Sequence, residues 1–119
     1  MVYNRRNTHM KNKIKIAKST AQQGDVILRK IDSLPSLDGA KVTHKRLVLA
    51  HGESGHSHVI EDDEAELIEI GERMLLKLAK PATIKHEEHG PVRLSPGIWE
   101  VGRVKEFDYF QQMARQVMD

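Results

Sequence analysis

The stretch Leu-Ile-Glu-Ile-Gly-Glu-Arg-Met-Leu-Leu-Lys-Leu, residues 67–78, decides the fold class of this chain. Its apolar residues fall in two short runs on either side of Gly71-Glu72, a pair suited to a tight turn between antiparallel strands. The wider window 64–78 also has a pattern compatible with a helix. A glycine in the middle of a helix costs about 1 kcal/mol relative to alanine. We therefore predict a β-hairpin here.

Outward from this hairpin, short apolar or alternating runs recur along the chain and are separated by turn residues. They lie at 25–31, 42–50, 56–61, 82–86, 92–94 and 98–105. Strands at this spacing, with Gly, Pro and Asp between them, are typical of an antiparallel sandwich or barrel. The acidic residues 62–64 are expected to form a turn. We predict a single all-β, jelly-roll-like domain over 24–119, with a short C-terminal helix at 108–118.

Charge is distributed unevenly along the chain. Residues 1–24 contain six Lys or Arg and no Asp or Glu, whereas the remainder carries 13 basic and 17 acidic residues. We predict that residues 1–23 form a flexible basic arm. Such an arm either contacts nucleic-acid phosphates or an acidic partner, or serves as a solvated tail.

Composition excludes several classes of protein. A chain of 119 residues is one domain's worth, and no apolar window is long enough for a transmembrane helix. The absence of cysteine excludes disulfides, iron–sulfur clusters and thiolate zinc sites. Without a signal-peptide pattern at the N-terminus, we expect a cytoplasmic protein with no membrane partner. A homo-oligomer is expected because open sheets often cover an edge by pairing.

Histidines are concentrated in two short segments. His51, His56 and His58 lie within eight residues, and His86 and His89 flank a Glu-Glu pair. If the segment after His56 is extended, His56 and His58 project from the same face of one strand. Imidazoles at this spacing can converge on a divalent ion, and nearby carboxylates can complete its ligand shell.

The leading hypothesis is therefore a small metal-dependent hydrolase, lyase or oxygenase acting on a small molecule. The metal would be Zn, Fe, Mn, Ni or Cu. Its predicted ligands are His51, His56, His58 and His86, with His89 as an alternative. Glu61 or Glu87 would serve as a fourth ligand or as general base.

A second hypothesis needs no metal. Histidines in different protonation states can act as general base and general acid, and cleavage of RNA through its own 2′-hydroxyl requires such a pair and a cation. The acid–base candidates are His56, His58, His86, His89, Glu61 and Glu87. The candidate phosphate contacts are Lys45, Arg46 and Arg93. Trp99 is expected either in the core or as a stacking platform for a base.

A third hypothesis is a non-enzymatic module. In this interpretation the protein is a sensor or assembly component that uses its β surface and C-terminal helix for oligomerisation. Substituting the histidines would then leave assembly unchanged.

The sequence also resembles small β-barrel metalloproteins of the cupin type. Their first motif carries a His-x-His pair followed by a glutamate, and their second carries a glycine, a five-residue spacer and a Pro-Gly-like turn. The counterparts here are Gly52, His56, His58, Glu61, Gly90, Pro96 and Gly97. The resemblance spans residues 24–106 and implies a jelly roll with a metal at the barrel mouth. The ligands so implied are His56, His58 and Glu61, with His86 or His89 replacing the later cupin histidine. Segments at 23–25, 48–52 and 86–91 also resemble small uncharacterised bacterial and phage proteins.

Overall fold

The computed structural model describes residues 15–51 and 56–104, without the side chains of residues 51 and 63. The C-terminal helix predicted at 108–118 lies outside these residues, as does most of the predicted basic arm. The described chain forms nine strands. They are β1 (Ile16–Ala17), β2 (Thr20–Gln23), β3 (Val26–Ile31), β4 (Lys41–His51), β5 (Ser57–Ile70), β6 (Arg73–Leu78), β7 (Ala82–Ile84), β8 (Val92–Leu94) and β9 (Gly97–Arg103).

These strands form two sheets. The larger is antiparallel, with the strand order β2-β3-β9-β6-β5-β4. The smaller has the order β1-β8-β7, in which β1 and β8 are parallel. A two-hydrogen-bond bridge between Val59 and Lys85 joins the first half of β5 to the end of β7. The all-β class predicted from the sequence is confirmed.

The hairpin predicted at 67–78 is present. Ile70 pairs with Arg73 across the Gly71-Glu72 turn, and Gly71 has a φ of 58°. That left-handed conformation costs glycine little and other residues more, so the same residue that argued against a helix permits the turn.

The turn predicted at residues 62–64 is wrong. These residues lie inside β5, where the pairing with β4 shifts: His44 pairs with Glu66, but Arg46 pairs with Glu61. β5 thus carries extra residues opposite Lys45, which itself has a φ of 70°. This irregularity is a bulge, and bulges bend a strand without ending it. It separates the half of β5 that meets β7 from the half that pairs with β6.

The N-terminal boundary also differs from the prediction. The described residues 15–23 were expected to belong to a flexible arm, yet they include β1 and β2. Ala21 packs against the core, and the Gln23 side chain is buried and hydrogen-bonded. The polar composition of residues 15–23 gave no signal of these strands, because the buried side chain of Gln23 is held by hydrogen bonds and not by apolar contacts.

One core lies between the two sheets. It is built from inward-facing residues of both: Val26, Leu28, Leu47, Leu49, Ile60, Ala65, Leu67, Leu76, Leu78, Ala82, Ile84, Leu94 and Trp99. Because alternate strand residues face opposite sides, His58, two positions before Ile60, is carried to the end of this core. The fold therefore buries a histidine next to the loop that connects β7 and β8.

Candidate functional site

Four of the predicted histidines meet at one end of the core. The ring centre of His86 lies 4.4 Å from that of His58, 4.7 Å from that of His89 and 5.9 Å from that of His56. The rings of His58 and His89 are nearly parallel, with centres 6.2 Å apart. Residues from β5 and from the β7–β8 loop are thus brought together, and we call these four residues the histidine cluster.

Gln23 holds His58 in place. The side chain of His58 is 2 % exposed, and its Nδ1 lies 2.8 Å from Gln23 Oε1. Gln23 Nε2 donates hydrogen bonds to the main-chain oxygens of Ile84 (3.0 Å) and Gly90 (2.9 Å). Both amide hydrogens of Gln23 are therefore committed to acceptors, which orients its Oε1 toward the imidazole.

This network selects the His58 tautomer. Because Gln23 Oε1 can only accept, His58 Nδ1 must carry the proton, and in the neutral ring Nε2 keeps its lone pair. Burial lowers the pKa of His58 below its ordinary value of 6.5, and nearby His86 lowers it further, while Asp25 raises it. His58 therefore presents an unprotonated, oriented Nε2. The same pattern orients histidine ligands at metal sites, where the second ring nitrogen donates to a protein oxygen.

Asp25 faces that nitrogen. Its Oδ1 lies 3.9 Å from His58 Nε2, and its Oδ2 accepts a 3.1 Å hydrogen bond from Arg103 Nε. Asp25 and Gly24 form the turn between β2 and β3, and Gly24 has a φ of 59°. The His89 ring packs against Gly24 so closely that a Cβ there would lie 2.6 Å from Nε2. The turn therefore places a carboxylate and a second imidazole beside His58.

The other two histidines have different hydrogen-bond environments. His86 Nδ1 accepts from the main-chain N–H groups of Glu88 (3.0 Å) and His89 (3.2 Å), so the neutral ring carries its proton on Nε2. His56 Nε2 lies 3.3 Å from Glu87 Oε2, and its Nδ1 lies 3.4 Å from Glu88 Oε1. Each nitrogen of the His56 ring therefore faces a carboxylate oxygen. The cluster thus combines imidazoles with different hydrogen-bond environments.

The spacing of the rings resembles that of metal ligands, but their nitrogens are not gathered at one point. With Zn–N bonds of about 2.1 Å, ring centres of two tetrahedral ligands stand about 5 Å apart. The observed separations of 4.4 to 6.2 Å bracket that value. Among residues 15–51 and 56–104, no group of three or more His, Asp or Glu side chains is arranged to hold a metal ion. The side chains would have to rotate to close around one.

A shallow polar cleft of about 300 Å³ runs beside the cluster. It is lined by Arg46, Ser57, Val59, Glu61, Lys85, His86 and Glu87. Ser57, Val59 and Glu61 share one face of β5 and span about 13 Å at the usual rise per residue. His86 and Glu87 lie in the segment that follows Lys85, and the exposed pair Arg46–Glu61 has a separation of 3.8 Å. The cleft thus joins three further residues predicted from the sequence, Arg46, Glu61 and Glu87, to the histidine cluster.

A protein-family model matches residues 22–104, and its description is a domain of unknown function, DUF8820. The chain belongs to this family. The match begins at Gln22, next to Gln23, and ends at Val104, so the whole histidine cluster lies within the DUF8820 domain. No curated protein and no solved structure matches the chain. In the part of the chain that the structure describes, no helix is long and apolar enough to cross a membrane.

Several other predicted residues of the DUF8820 domain lie elsewhere. Trp99 is fully buried and its Nε1 donates to Ser95 O at 2.9 Å, so its ring belongs to the core and offers no face to a base. Arg93 is bonded to Thr83 Oγ1 at 2.8 Å in the smaller sheet. Lys45 lies exposed on β4, opposite the β5 bulge. The side chain of His51 is outside the described set.

The ligand set that the cupin resemblance implies is not assembled here. Glu61 is exposed beside Arg46, whereas His58 is buried against Gln23 and Asp25. The carboxylate that lies beside His58 is that of Asp25, not that of Glu61.

Sequence reasoning missed Gln23 and Asp25. The predicted boundary places Gln23 at the end of the arm and Asp25 at the start of the domain, and both become site residues because the β2–β3 turn reaches the end of β5. The sequence signal that could have found them is the Gln-Gly-Asp order itself, in which a glycine turn separates an amide from a carboxylate.

Proposed function

We propose that this DUF8820 domain binds a divalent transition-metal ion in the histidine cluster and acts as a small hydrolase. The observation that carries the proposal is the Gln23–His58 network, which buries an imidazole, fixes its tautomer and leaves Nε2 unprotonated. An imidazole held in this way has the form required of a metal ligand.

The residues best placed to hold the ion surround the Gly24-Asp25 turn. His58 supplies the oriented nitrogen, Asp25 a carboxylate oxygen, and His89 an exposed imidazole that can rotate. His86 is the poorest ligand, because its Nδ1 is occupied by two main-chain N–H groups and its Nε2 carries the proton. When bound, such an ion supplies Lewis acidity toward an ester or phosphoryl oxygen.

The remaining cluster residues have roles of their own in this proposal. His56, between Glu87 and Glu88, is a proton carrier whose proton can pass to a leaving group or return to a carboxylate. His86 donates from Nε2 to an oxygen bound in the cleft. Lys85 has no carboxylate partner among the described residues and is free to bind an anionic part of the substrate.

Elemental analysis of protein purified without an affinity tag tests this proposal. We expect about one equivalent of metal in the wild type and its loss in His89→Asn, with folding checked by circular dichroism because the His89 ring packs against Gly24. His44→Asn is the matched control, since His44 is an exposed histidine on β4. Equal metal content in the wild type and His89→Asn, or none in the wild type even after dialysis against Zn²⁺, would overturn the metal site.

Metal-independent cleavage of RNA is a second candidate, favoured by the composition of the cleft. Arg46 and Lys85 can bind phosphate there, next to His86 and Glu87. In that reaction a carboxylate or imidazole takes the proton of the 2′-hydroxyl, the 2′-oxygen attacks phosphorus, and His56 protonates the departing 5′-oxygen.

Mixed RNA incubated with the protein in EDTA distinguishes the two candidates. RNA cleavage that persists in EDTA, spares DNA and is lost in His56→Ala would support the second candidate. Hydrolysis of model esters that is abolished by EDTA and restored by Zn²⁺ would support the first.

A further inference from the structure

A second cavity lies on the larger sheet, outside the histidine cluster. Its volume is about 440 Å³, and it lies over β2, β3, β6 and β9. Thr20, Ile27, Arg29, Arg73, Glu100 and Gly102 line it, together with further residues at its rim. By strand pairing, Arg29 stands opposite Glu100 and Ile27 opposite Gly102, so these four share one face of the sheet.

Gly102 forms the floor of this cavity, although the backbone conformation at position 102 does not require a glycine. It is not among the glycines with positive φ, and a Cβ at this position would meet only Ile27 Cγ2, at 4.0 Å. Glycine inside a strand is unfavourable relative to other residues, and it often marks a place where a ligand approaches the backbone. Neither backbone conformation nor side-chain packing requires a glycine at position 102, but a ligand that lies against the strand in this cavity would require one.

Five charged side chains line the cavity, and among the described residues two of them, Arg29 and Glu72, have no ion-pair partner. Arg73 is bound to Glu100 by two hydrogen bonds of 2.8 and 3.1 Å, and Arg103 is bound to Asp25. Arg29 is exposed and has no carboxylate partner among the described residues. A guanidinium beside an apolar floor matches a ligand with one anionic group and an apolar body.

We propose that this cavity binds a small organic anion, a carboxylate or a phosphate or sulfonate ester with an apolar group. Arg29 pairs with its charge, and its apolar part lies on Ile27 and Gly102. The site is distinct from the proposed metal site, because neither Arg29 nor Gly102 belongs to the histidine cluster; Arg103, at the edge between them, lines the cavity and bonds to Asp25.

Titration with 8-anilinonaphthalene-1-sulfonate, a fluorescent sulfonate with an apolar body, tests the proposal on the full chain. We expect saturable binding near one equivalent. Arg29→Gln should weaken it at least about tenfold, the loss expected for a hydrogen bond to a charged group. Lys77→Gln, which removes an exposed cation from β6 of the same sheet, should leave it unchanged.

Gly102→Val provides a second, independent variant. The added Cβ meets only Ile27 Cγ2, at 4.0 Å, and valine favours a strand, so the protein should fold and the cavity should close. Saturable binding that Gly102→Val and Arg29→Gln leave intact would overturn the site, as would no saturable binding in the wild type. Binding that Gly102→Val abolishes while the thermal unfolding midpoint is retained would support it.

Discussion

Gln23 Oε1 and His58 Nδ1 lie 2.8 Å apart in the interior, and each residue accounts for the burial of the other. The amide of Gln23 is satisfied on its other side by two main-chain oxygens, so the pair leaves no polar atom of the amide group without a partner. The network links β2, β5 and the β7–β8 loop. It therefore joins both sheets at the end of the core where the histidine cluster lies.

Gln23→Leu should destabilise the protein strongly. It removes three hydrogen bonds and leaves the His58 Nδ1–H and the Ile84 carbonyl without these partners in the interior, for an expected cost of about 2–4 kcal/mol. Urea denaturation followed by circular dichroism measures it. Gln22→Leu is the control, since the exposed Gln22 side chain donates to Gly24 O within its own turn, and its cost should stay below about 1 kcal/mol. Equal losses in both variants would show that the network contributes nothing specific.

The stability of the metal-free protein should fall in mild acid. The pKa of His58 is lowered in the folded state, so below pH 6.5 the unfolded chain takes up a proton that the native chain resists. This contribution to stability is fully present above pH 6.5. It is lost progressively as pH falls from there to the lowered folded-state pKa.

Urea midpoints in EDTA between pH 7.5 and 5 measure this dependence. The slope should be smaller in His58→Gln and unaltered in His44→Gln. A slope unchanged in His58→Gln would assign the acid sensitivity to other groups.

Gly24→Ala and Gly39→Ala should separate backbone strain from packing. Both glycines have positive φ, 59° and 78°, so each substitution should cost about 1 kcal/mol from backbone conformation. At Gly39 nothing lies within 4 Å of the new methyl group, whereas at Gly24 it meets His89 Nε2 at 2.6 Å. We expect only Gly24→Ala to displace His89 and reduce Zn²⁺ uptake, measured by isothermal titration calorimetry. Equal uptake by the two variants would remove His89 from the ligand set.

Trp99 is the only tryptophan and should report on the core alone. Its ring is fully buried, so iodide should quench its fluorescence little in the native state and readily in urea. Trp99→Phe removes the hydrogen bond to Ser95 O and leaves a gap, and it should cost about 1–3 kcal/mol without changing RNA or anion binding. Direct quenching of native Trp99 by added RNA would contradict this placement.

The strand pattern was accessible from the sequence because it depends on local chemistry. Gly71-Glu72 between two apolar runs predicted the hairpin, and the run at 92–94 matches β8. The prediction of a turn at residues 62–64 is wrong because a bulge and a turn use similar polar residues. A bulge differs from a turn in that the neighbouring strand stays paired on both sides of it. In this chain β4 pairs with β5 both before and after residues 62–64.

The sequence by itself determined the all-β class, the hairpin and the concentration of histidines in two segments, because each follows from the order of neighbouring residues. Tertiary structure alone decided that Gln23 and Asp25 belong with those histidines and that Trp99 does not. Gln23 and His58 are 35 positions apart. Their hydrogen bond exists because the β2–β3 turn and the start of β5 converge at one end of a shared core, and no local pattern encodes that convergence.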